Sequence, residues 1–268
     1  MGGIRFEDDG TVTLITGTLD YGQGHATPFA QVLAERLGIP FESIRLLQGD
    51  SDELIVGGGT GGSRSMYASG QAIAEASDEV IVRGRRIAAD VLEVGEGDIE
   101  FRDGRFLIAG TDRSISVLDL AATLREGRTV SDGVPTSLDV SHATQPIPSS
   151  YPNGAHIAAV EIDPEIGTVD VVRYLMVNDF GTIVNPLLVE GQAHGGVMQG
   201  IGQALLEHAV YDDFGQPLTG SFMDYAMPRA EHAPDFRFYS HPVPAKTNIL
   251  GVKGCGEAGC AGSITSVM

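Results

Sequence analysis

The 268-residue sequence has no tryptophan, only two cysteines and few basic side chains. Two cysteines cannot build a disulfide framework, and a single C-x4-C pair can neither complete a zinc site nor hold a [2Fe–2S] cluster unaided. The seven histidines show no metal-ligand spacing, so the sequence predicts no metal bound by protein side chains. The sparing use of cysteine favours a reduced, cytoplasmic location.

Acidic residues outnumber basic ones: the sequence has 17 Lys and Arg and 36 Asp and Glu, which gives a net charge of −19. Nucleic acids and anionic membrane surfaces are themselves negative, so this charge argues against both as partners. No apolar run approaches the ~18 residues that a membrane span requires, and the first residues lack the pattern of a secretion signal. With 42% apolar residues, the chain can bury a substantial core.

Glycine is the residue in excess, with 36 occurrences, about twice the average usage. In the first half, alternation over residues 10–19 predicts a strand, and a helix is expected to follow between a Thr27 cap and Gly38. A long helix is predicted over residues 65–92, because apolar residues recur there at spacings of three and four. The dipeptide Asp103-Gly104 predicts a hairpin turn.

Residues 131–153 contain four prolines and many small polar side chains. We therefore expect a crossover linker there, between a first lobe over 1–130 and a second lobe over 154–268. The second lobe is expected to begin with two strands, over 155–163 and 168–179. Strands, helices and hairpins alternate irregularly, which favours an α+β fold over a doubly wound parallel sheet.

A glycine-studded helix is predicted from Pro186 to about residue 208, with Asn185 as its cap. Each internal glycine costs about 1 kcal/mol relative to alanine, so we expect such a helix only where one face makes a close approach. The interrupting glycines are Gly191, Gly195, Gly196, Gly200 and Gly202. Gln192 lies near the first turns, where it could meet a polar ligand, whereas His194 is more typical of a packed or capping histidine.

Two further glycine clusters precede helices in the first half. In LDYGQGHATP, Gln23 and Gly24 lie just before the helix start, where unpaired N–H groups favour an anion. A tight strand-to-helix turn is the simpler interpretation of the same residues.

The second cluster, GGGTGGSRSMYASGQ, matches G-x-G-x-x-G at Gly57, Gly59 and Gly62, so a dinucleotide-binding domain is one hypothesis. Against it, the acidic residues at the expected distance, Asp78 and Glu79, fall inside the predicted long helix. The other hypothesis is an anion-binding backbone turn formed around Gly61 and Gly62. The side chains that would add donors to this turn are those of Ser63, Arg64 and Ser65.

The last cluster, VKGCGEAGCAGS, holds one carboxylate, Glu257, among glycines and alanines, with Lys253 as the one other charged residue. A solvated loop acid is the simpler interpretation. The alternative is that the segment lines a closed pocket, where desolvation would favour the neutral form of Glu257 and tune it as a proton-transfer base.

Five segments together carry a resemblance. They are GTLDYGQGHAT, GGTGGSRS, YPNGAHIAAVEID, VEGQAHGGVMQGIGQALLE and KGCGEAG. In this order and approximate spacing they resemble the molybdenum hydroxylases, the xanthine dehydrogenase/aldehyde oxidase family, and within it the carbon monoxide dehydrogenase-like large subunits. Each motif is weak alone, but the series runs from Gly10 to Ser263.

The resemblance implies the C-terminal half of a molybdopterin-binding domain, with an α+β fold of two α/β lobes, mixed sheets and long packed helices. Glycine-rich loops and glutamines would hold molybdenum–molybdopterin, which in bacteria is often the cytosine dinucleotide form. The cofactor contacts so implied are Gln23, Gly24, Gly61, Gly62, Ser63, Arg64, Ser65, Gln192, Lys253 and Gly254. The family's G-E-x-G motif falls on Gly256–Gly259, which implies Glu257 as the catalytic base.

The implied reaction oxidises an aldehyde or an N-heterocycle with water as the oxygen donor. FAD and [2Fe–2S] clusters are expected only on partner chains, and the N-terminal half of the molybdenum domain on a separate chain or a missing segment. The family's chain continues past the glutamate motif, and Cys255 replaces a commonly small or aliphatic residue. We therefore expect no turnover by the isolated chain. A non-catalytic assembly module that retains the fold is the alternative.

Overall fold

The computed structural model describes residues 1–268. Contacts divide the chain into two compact units, the first containing residues 1–148 and 247–250, the second 149–246 and 251–268. The lobe boundaries expected from the sequence stay a prediction. No helix is both long and apolar enough to cross a lipid bilayer.

The first unit is built on a mixed sheet with an α-helical crossover. Its elements are β1 Gly2–Phe6, β2 Val12–Thr16, α1 Ala26–Leu37, β3 Ile44–Gln48, α2 Gly70–Leu92, β4 Ile99–Arg102, β5 Arg105–Ile108, β6 Ser114–Ser116, α3 Val117–Arg125 and β7 Val140–His142. The sheet order is β3-β2-β1-β7, and β4-β5-β6 form a second, antiparallel sheet. β2 and β3 run parallel, so α1 is the crossover that parallel neighbours require.

The start of α1 differs from the sequence prediction. His25 occupies the N-cap and no side chain caps the helix, so the predicted Thr27 cap is wrong. The reason is that the Asp20 carboxylate accepts a hydrogen bond from the His25 N–H at 2.7 Å, which anchors the entering chain two residues before Thr27. The predicted end is confirmed, because Gly38 is left-handed and its N–H donates to the Ala34 carbonyl.

The long helix predicted over 65–92 is confirmed as a π-helical turn, Ser65–Ser69, followed directly by α2. Its apolar stripe is buried at Ile73, Val80 and Ile87. Gly84 lets α2 approach the small sheet, because a Cβ there would overlap the Phe106 ring. The hairpin between β4 and β5 is also confirmed: Asp103 and Gly104 have φ of 49° and 73°, as a type I′ turn requires.

The second unit packs two helices on a three-stranded sheet. Its elements are β8 Asn153–Ile162, β9 Val169–Asp179, α4 Pro186–Ile201, β10 Asp235–Ser240 and α5 Ala258–Val267. β9 is central, antiparallel to β8 and parallel to β10. Tyr174 and Met176 of β9 form one buried cluster with Val197 of α4 and Val267 of α5. Three small mixed and antiparallel sheets with long packed helices confirm the predicted α+β class.

The glycine-studded helix is confirmed, and so is its close approach to a neighbour. The Asn185 side chain accepts a hydrogen bond from the Leu188 N–H at 3.1 Å, with Pro186 in the first turn. A π-helical turn, Gly202–Leu206, continues α4. At Gly259 of α5 a Cβ would lie 2.5 Å from the Ala193 carbonyl oxygen and 2.7 Å from the Val197 nitrogen of α4. The two backbones are therefore in direct contact.

Candidate functional site

The two glycine clusters of the first unit meet where the parallel strands β2 and β3 end. The Gly17 carbonyl, just after β2, accepts hydrogen bonds from the Gly58 and Gly59 N–H groups at 3.0 and 3.2 Å. The Leu19 N–H donates to the Thr60 hydroxyl at 3.2 Å. Ligands of open α/β sheets bind outside the carboxyl ends of the strands, so this edge is a candidate site.

In the first of these loops, the chain's own carboxylate occupies the anion-binding turn. Asp20 Oδ1 accepts from the N–H groups of Gly22, Gln23 and Gly24 at 2.8, 2.7 and 3.2 Å, and Oδ2 accepts from His25. Burial alone would raise the pKa of Asp20, but these hydrogen bonds lower it below the ordinary value,. The backbone amide of Gly24 is therefore already bonded within the loop.

Gln23 is half-buried in the same turn, and its side-chain oxygen accepts from the Tyr21 N–H. A role for Gln23 in ligand binding would therefore use its side-chain NH2 group. Sequence reasoning missed Asp20, although a carboxylate two residues before a glycine pair is a recognisable signal for such a turn.

A buried polar cluster lies beneath this loop. The Gln48 side chain at the end of β3 donates to the Thr16 hydroxyl at 2.9 Å and also bonds the Thr18 hydroxyl, with His25 Nδ1 at 3.4 Å. Burial lowers the pKa of His25, against the opposing effect of the nearby Asp20 charge. His25 also stacks on Phe29, with ring centroids 5.0 Å apart. These contacts hold the connection between β2 and α1 in place, and they occupy its polar side chains within the protein.

The second loop presents open backbone. Gly61 and Gly62 are exposed, and no atom lies within 4 Å of the place where a Cβ would be at either residue. Ser63 has a φ of 51°, a left-handed conformation that turns the chain into the helix at Ser65. The Arg64 guanidinium donates to the Gly58 carbonyl at 3.3 Å and remains exposed. The turn Gly61–Ser65 is thus accessible to an external ligand.

In the second unit, α4 carries a half-buried Gln192 between two exposed glycines, Gly191 and Gly195, which have no neighbouring atom within 4 Å of a Cβ. His194 stacks on Phe236 with ring centroids 4.4 Å apart. This confirms the interpretation of His194 as a packed side chain.

The segment that leads to Glu257 is paired and anchored. Gly181 and Val252 form an antiparallel bridge, and the Lys253 N–H donates to the Phe180 carbonyl at 2.9 Å. The Lys253 ammonium forms an ion pair with Asp179, and each side chain is only 11% exposed. Gly254 is buried. The charge of Lys253 is therefore already neutralised by a buried partner, which bears against its predicted use as a cofactor contact.

Glu257 immediately precedes α5 and is exposed. Within this chain, therefore, no closed and dry pocket surrounds it. Burial, with a smaller effect of the Glu257 charge, raises the pKa of the Cys255 thiol to about 11. Cys255 is thus a neutral thiol at physiological pH.

No three His, Cys, Asp or Glu side chains lie together in a way that could hold a metal ion. The dinucleotide-binding hypothesis is wrong on topology. The helix after Gly57–Gly62 leads into the antiparallel β4-β5 hairpin, whereas a dinucleotide fold needs a second parallel strand at that point.

Comparison with known proteins decides the family. The model of the molybdopterin cofactor-binding domain matches residues 2–234. The chain belongs to this family. The large subunit of nicotine 6-hydroxylase from Paenarthrobacter nicotinovorans is 37% identical over 99% of the chain, and the carbon monoxide dehydrogenase large chain of Hydrogenophaga pseudoflava is 35% identical over 97%. The chain spans about a third of each relative's length, 33% and 32%.

Solved structures agree with the molybdopterin-domain assignment. The Cu,Mo-CO dehydrogenase superposes with a TM-score of 0.87 at 33% identity, over 98% of this chain and 33% of that one. Quinoline 2-oxidoreductase from Pseudomonas putida 86 gives 0.85 at 34% identity, over 99% and 34%. The resemblance to the molybdenum hydroxylases and the predicted fold are both confirmed.

Proposed function

We propose that this chain is part of the large subunit of a molybdenum-dependent hydroxylase that oxidises an N-heterocycle or an aldehyde with water as the oxygen donor. The observation that carries the proposal is Glu257, a carboxylate held at the head of α5 by an anchored segment. Relatives at 37% and 34% identity are named for nicotine and quinoline, so N-heterocycles are the first substrates to test.

Molybdenum–molybdopterin fits the open turn Gly61–Ser65, because exposed glycines let a bulky phosphate-bearing group reach the backbone,. The side chains of Ser63, Arg64 and Ser65 would add donors. In the second unit Gln192, flanked by the open Gly191 and Gly195, would supply an amide contact. Gln23 would contribute its NH2 group. The cytosine dinucleotide form of the cofactor belongs to the same proposal.

When bound, the cofactor supplies the centre that accepts two electrons from the substrate. Glu257 would act as the general base that takes a proton as the water-derived oxygen attacks the substrate carbon. A base of this kind works best away from water, and Glu257 is exposed in this chain. We therefore propose that the remaining segment of the large subunit covers it. Partner chains with FAD and [2Fe–2S] clusters would carry the electrons onward.

The test is Glu257→Gln in the holoenzyme, assembled by co-expression with the other subunits of the complex. Loss of a general base costs about 10²- to 10⁴-fold in rate, while molybdenum and pterin content should stay at the wild-type level. Dye reduction with a panel of N-heterocycles and aldehydes measures turnover. Glu231→Gln is the matched control, since that carboxylate is 70% exposed and pairs only with Arg229 at the surface.

Two outcomes would contradict the proposal. Wild-type turnover by Glu257→Gln would remove Glu257 from its role. A native complex without molybdenum and pterin would instead support a non-catalytic assembly module.

A further inference from the structure

One buried carboxylate ties together three segments of the second unit. Asp179 lies at the end of β9. Its Oδ1 accepts hydrogen bonds from the Gly181 N–H at 2.9 Å and the Val243 N–H at 2.8 Å, and its Oδ2 pairs with the Lys253 ammonium. Both carboxylate oxygens are thus bonded, and the one cation among these three partners comes from the segment that carries Glu257.

That segment is aligned by backbone pairing as well. The Thr182 N–H donates to the Gly251 carbonyl and the Lys253 N–H donates to the Phe180 carbonyl, both at 2.9 Å. The ion pair lies at the end of this pairing, where the chain leaves for α5. It therefore fixes the chain four residues before Glu257.

Only Gly254, Cys255 and Gly256 separate Lys253 from Glu257. Beyond Glu257 the chain is fixed again, because Gly259 is in contact with the backbone of α4 at Ala193 and Val197. Glu257 thus lies in a short segment between two fixed points, Lys253 and Gly259. Two of the three intervening residues are glycines, which restrain the backbone least, so loss of either anchor would loosen the backbone on that side of Glu257.

We propose that Asp179 and Lys253 are positioning residues for Glu257, and that Lys253 does not bind the cofactor with its ammonium. This inference rests on the proposed function, in which Glu257 is the base. Breaking a buried ion pair by removing one partner is costly because the other charge stays buried and unpaired. Misplacement of a catalytic group by about 1 Å costs on the order of 100-fold in rate.

The first test measures amide hydrogen exchange on the 268-residue chain. In Lys253→Met, exchange over residues 252–257 is expected to rise at least about tenfold, while exchange in β8 stays within about twofold of wild type, as for a local opening. Lys253→Arg keeps the charge and should restore protection. Lys246→Met is the matched control, because it removes an exposed lysine from the preceding segment. Unchanged exchange in Lys253→Met would overturn the proposal.

A double variant covers the case in which Lys253→Met fails to fold. Lys253→Met with Asp179→Asn removes both charges, and the asparagine oxygen can still accept from Gly181 and Val243. It should fold and still show faster exchange over 252–257. Wild-type protection in the double variant would show that the pair does not hold this segment, and would overturn the proposal.

The second test uses the holoenzyme, with turnover counted per bound molybdenum. For Lys253→Met we expect kcat to fall about 10- to 100-fold with KM within about threefold, and Lys253→Arg to recover most of the loss. Reduced pterin content with an unchanged kcat per molybdenum would make Lys253 a cofactor contact and overturn the proposal. The exchange result is independent of Glu257→Gln, so failure of the proposed function and failure of this inference are distinguishable.

Discussion

The two faces of α4 use glycine for different reasons. On one face, Gly196 and Gly200 lie against α5, and a Cβ at Gly200 would come within 2.9 Å of the Cys260 carbonyl oxygen. On the other face, Gly191 and Gly195 are exposed and have no atom within 4 Å of a Cβ. Each costs the helix about 1 kcal/mol relative to alanine. Packing offsets that cost on the first face, whereas nothing in the chain offsets it on the second.

The same contrast separates the two loops of the first unit. The amides of Gly22 and Gly24 are bonded to Asp20 inside their loop, but Gly61 and Gly62 face open space. Glycine-rich sequence therefore marks close protein packing in some places and access for an external group in others. Only the glycines that neither pack closely against the chain nor bond to it support a ligand site.

The largest effect is expected on the packed face. Gly259→Ala forces a methyl group to within 2.5 Å of the Ala193 carbonyl oxygen and 2.7 Å of the Val197 nitrogen. Because both neighbours are backbone atoms, the helices must separate, and we expect the free energy of unfolding to fall by about 3 kcal/mol. Urea unfolding followed by circular dichroism measures the change. A loss below about 0.5 kcal/mol would mean that α4 and α5 are not held in backbone contact.

From the sequence, the helices and their close packing could be predicted well, whereas the carboxylates that bond to backbone amides could not. Helical periodicity predicted α2, and the Asn185 cap with Pro186 predicted α4. The glycines of the predicted helix indicated a close approach, which Gly196 and Gly200 make. The family motifs selected the turn at Gly61–Ser65. By contrast, the roles of Asp20 and Asp179 depend on which amides the fold brings to each carboxylate. Contacts between residues far apart in the sequence cannot be predicted from the spacing of nearby residues. Whether Glu257 is dry could not be predicted from its small neighbours either, because burial depends on what covers a residue in space, and in this chain Glu257 is exposed.

The bonded loop gives the second prediction. Asp20→Ala leaves four backbone N–H groups without their acceptor, so we expect the free energy of unfolding to fall by about 2 kcal/mol, as for hydrogen-bonding groups left unsatisfied. The lowered pKa of Asp20 fixes the sign of the pH dependence. Its contribution is fully present above the unfolded value near 3.9 and is lost as pH falls through the depressed folded pKa.

Urea midpoints of wild type and Asp20→Ala, compared at pH 7 and at successively lower pH, measure this contribution. The two curves should converge on acidification. A stability difference that stays constant down to the acid transition would contradict a role for the ionised carboxylate.

The open face of α4 gives the third prediction, with the opposite sign. Gly191→Ala and Gly195→Ala should each stabilise the isolated chain by about 1 kcal/mol, because no neighbour opposes the added methyl. In the holoenzyme the same variants should lower molybdenum and pterin content if a cofactor approaches this face. Gly200→Ala is the matched control on the packed face, and it should destabilise, since a Cβ there would lie 2.9 Å from the Cys260 carbonyl oxygen. Wild-type cofactor content in both Gly191→Ala and Gly195→Ala would show that these glycines do not contribute to ligand binding.

The smallest effect on stability is expected at the open loop. Gly61 does not have a positive φ and nothing lies near its Cβ position, so Gly61→Ala should change the free energy of unfolding by less than about 0.5 kcal/mol. If the turn Gly61–Ser65 holds a phosphate-bearing cofactor through its backbone, even one methyl group interferes with that approach. Pterin retained by the holoenzyme after gel filtration should then drop in Gly61→Ala while urea unfolding of the isolated chain is unchanged. The combination of unaltered stability and reduced pterin separates an accessible glycine from a packed one, because a packed glycine cannot be substituted without loss of stability.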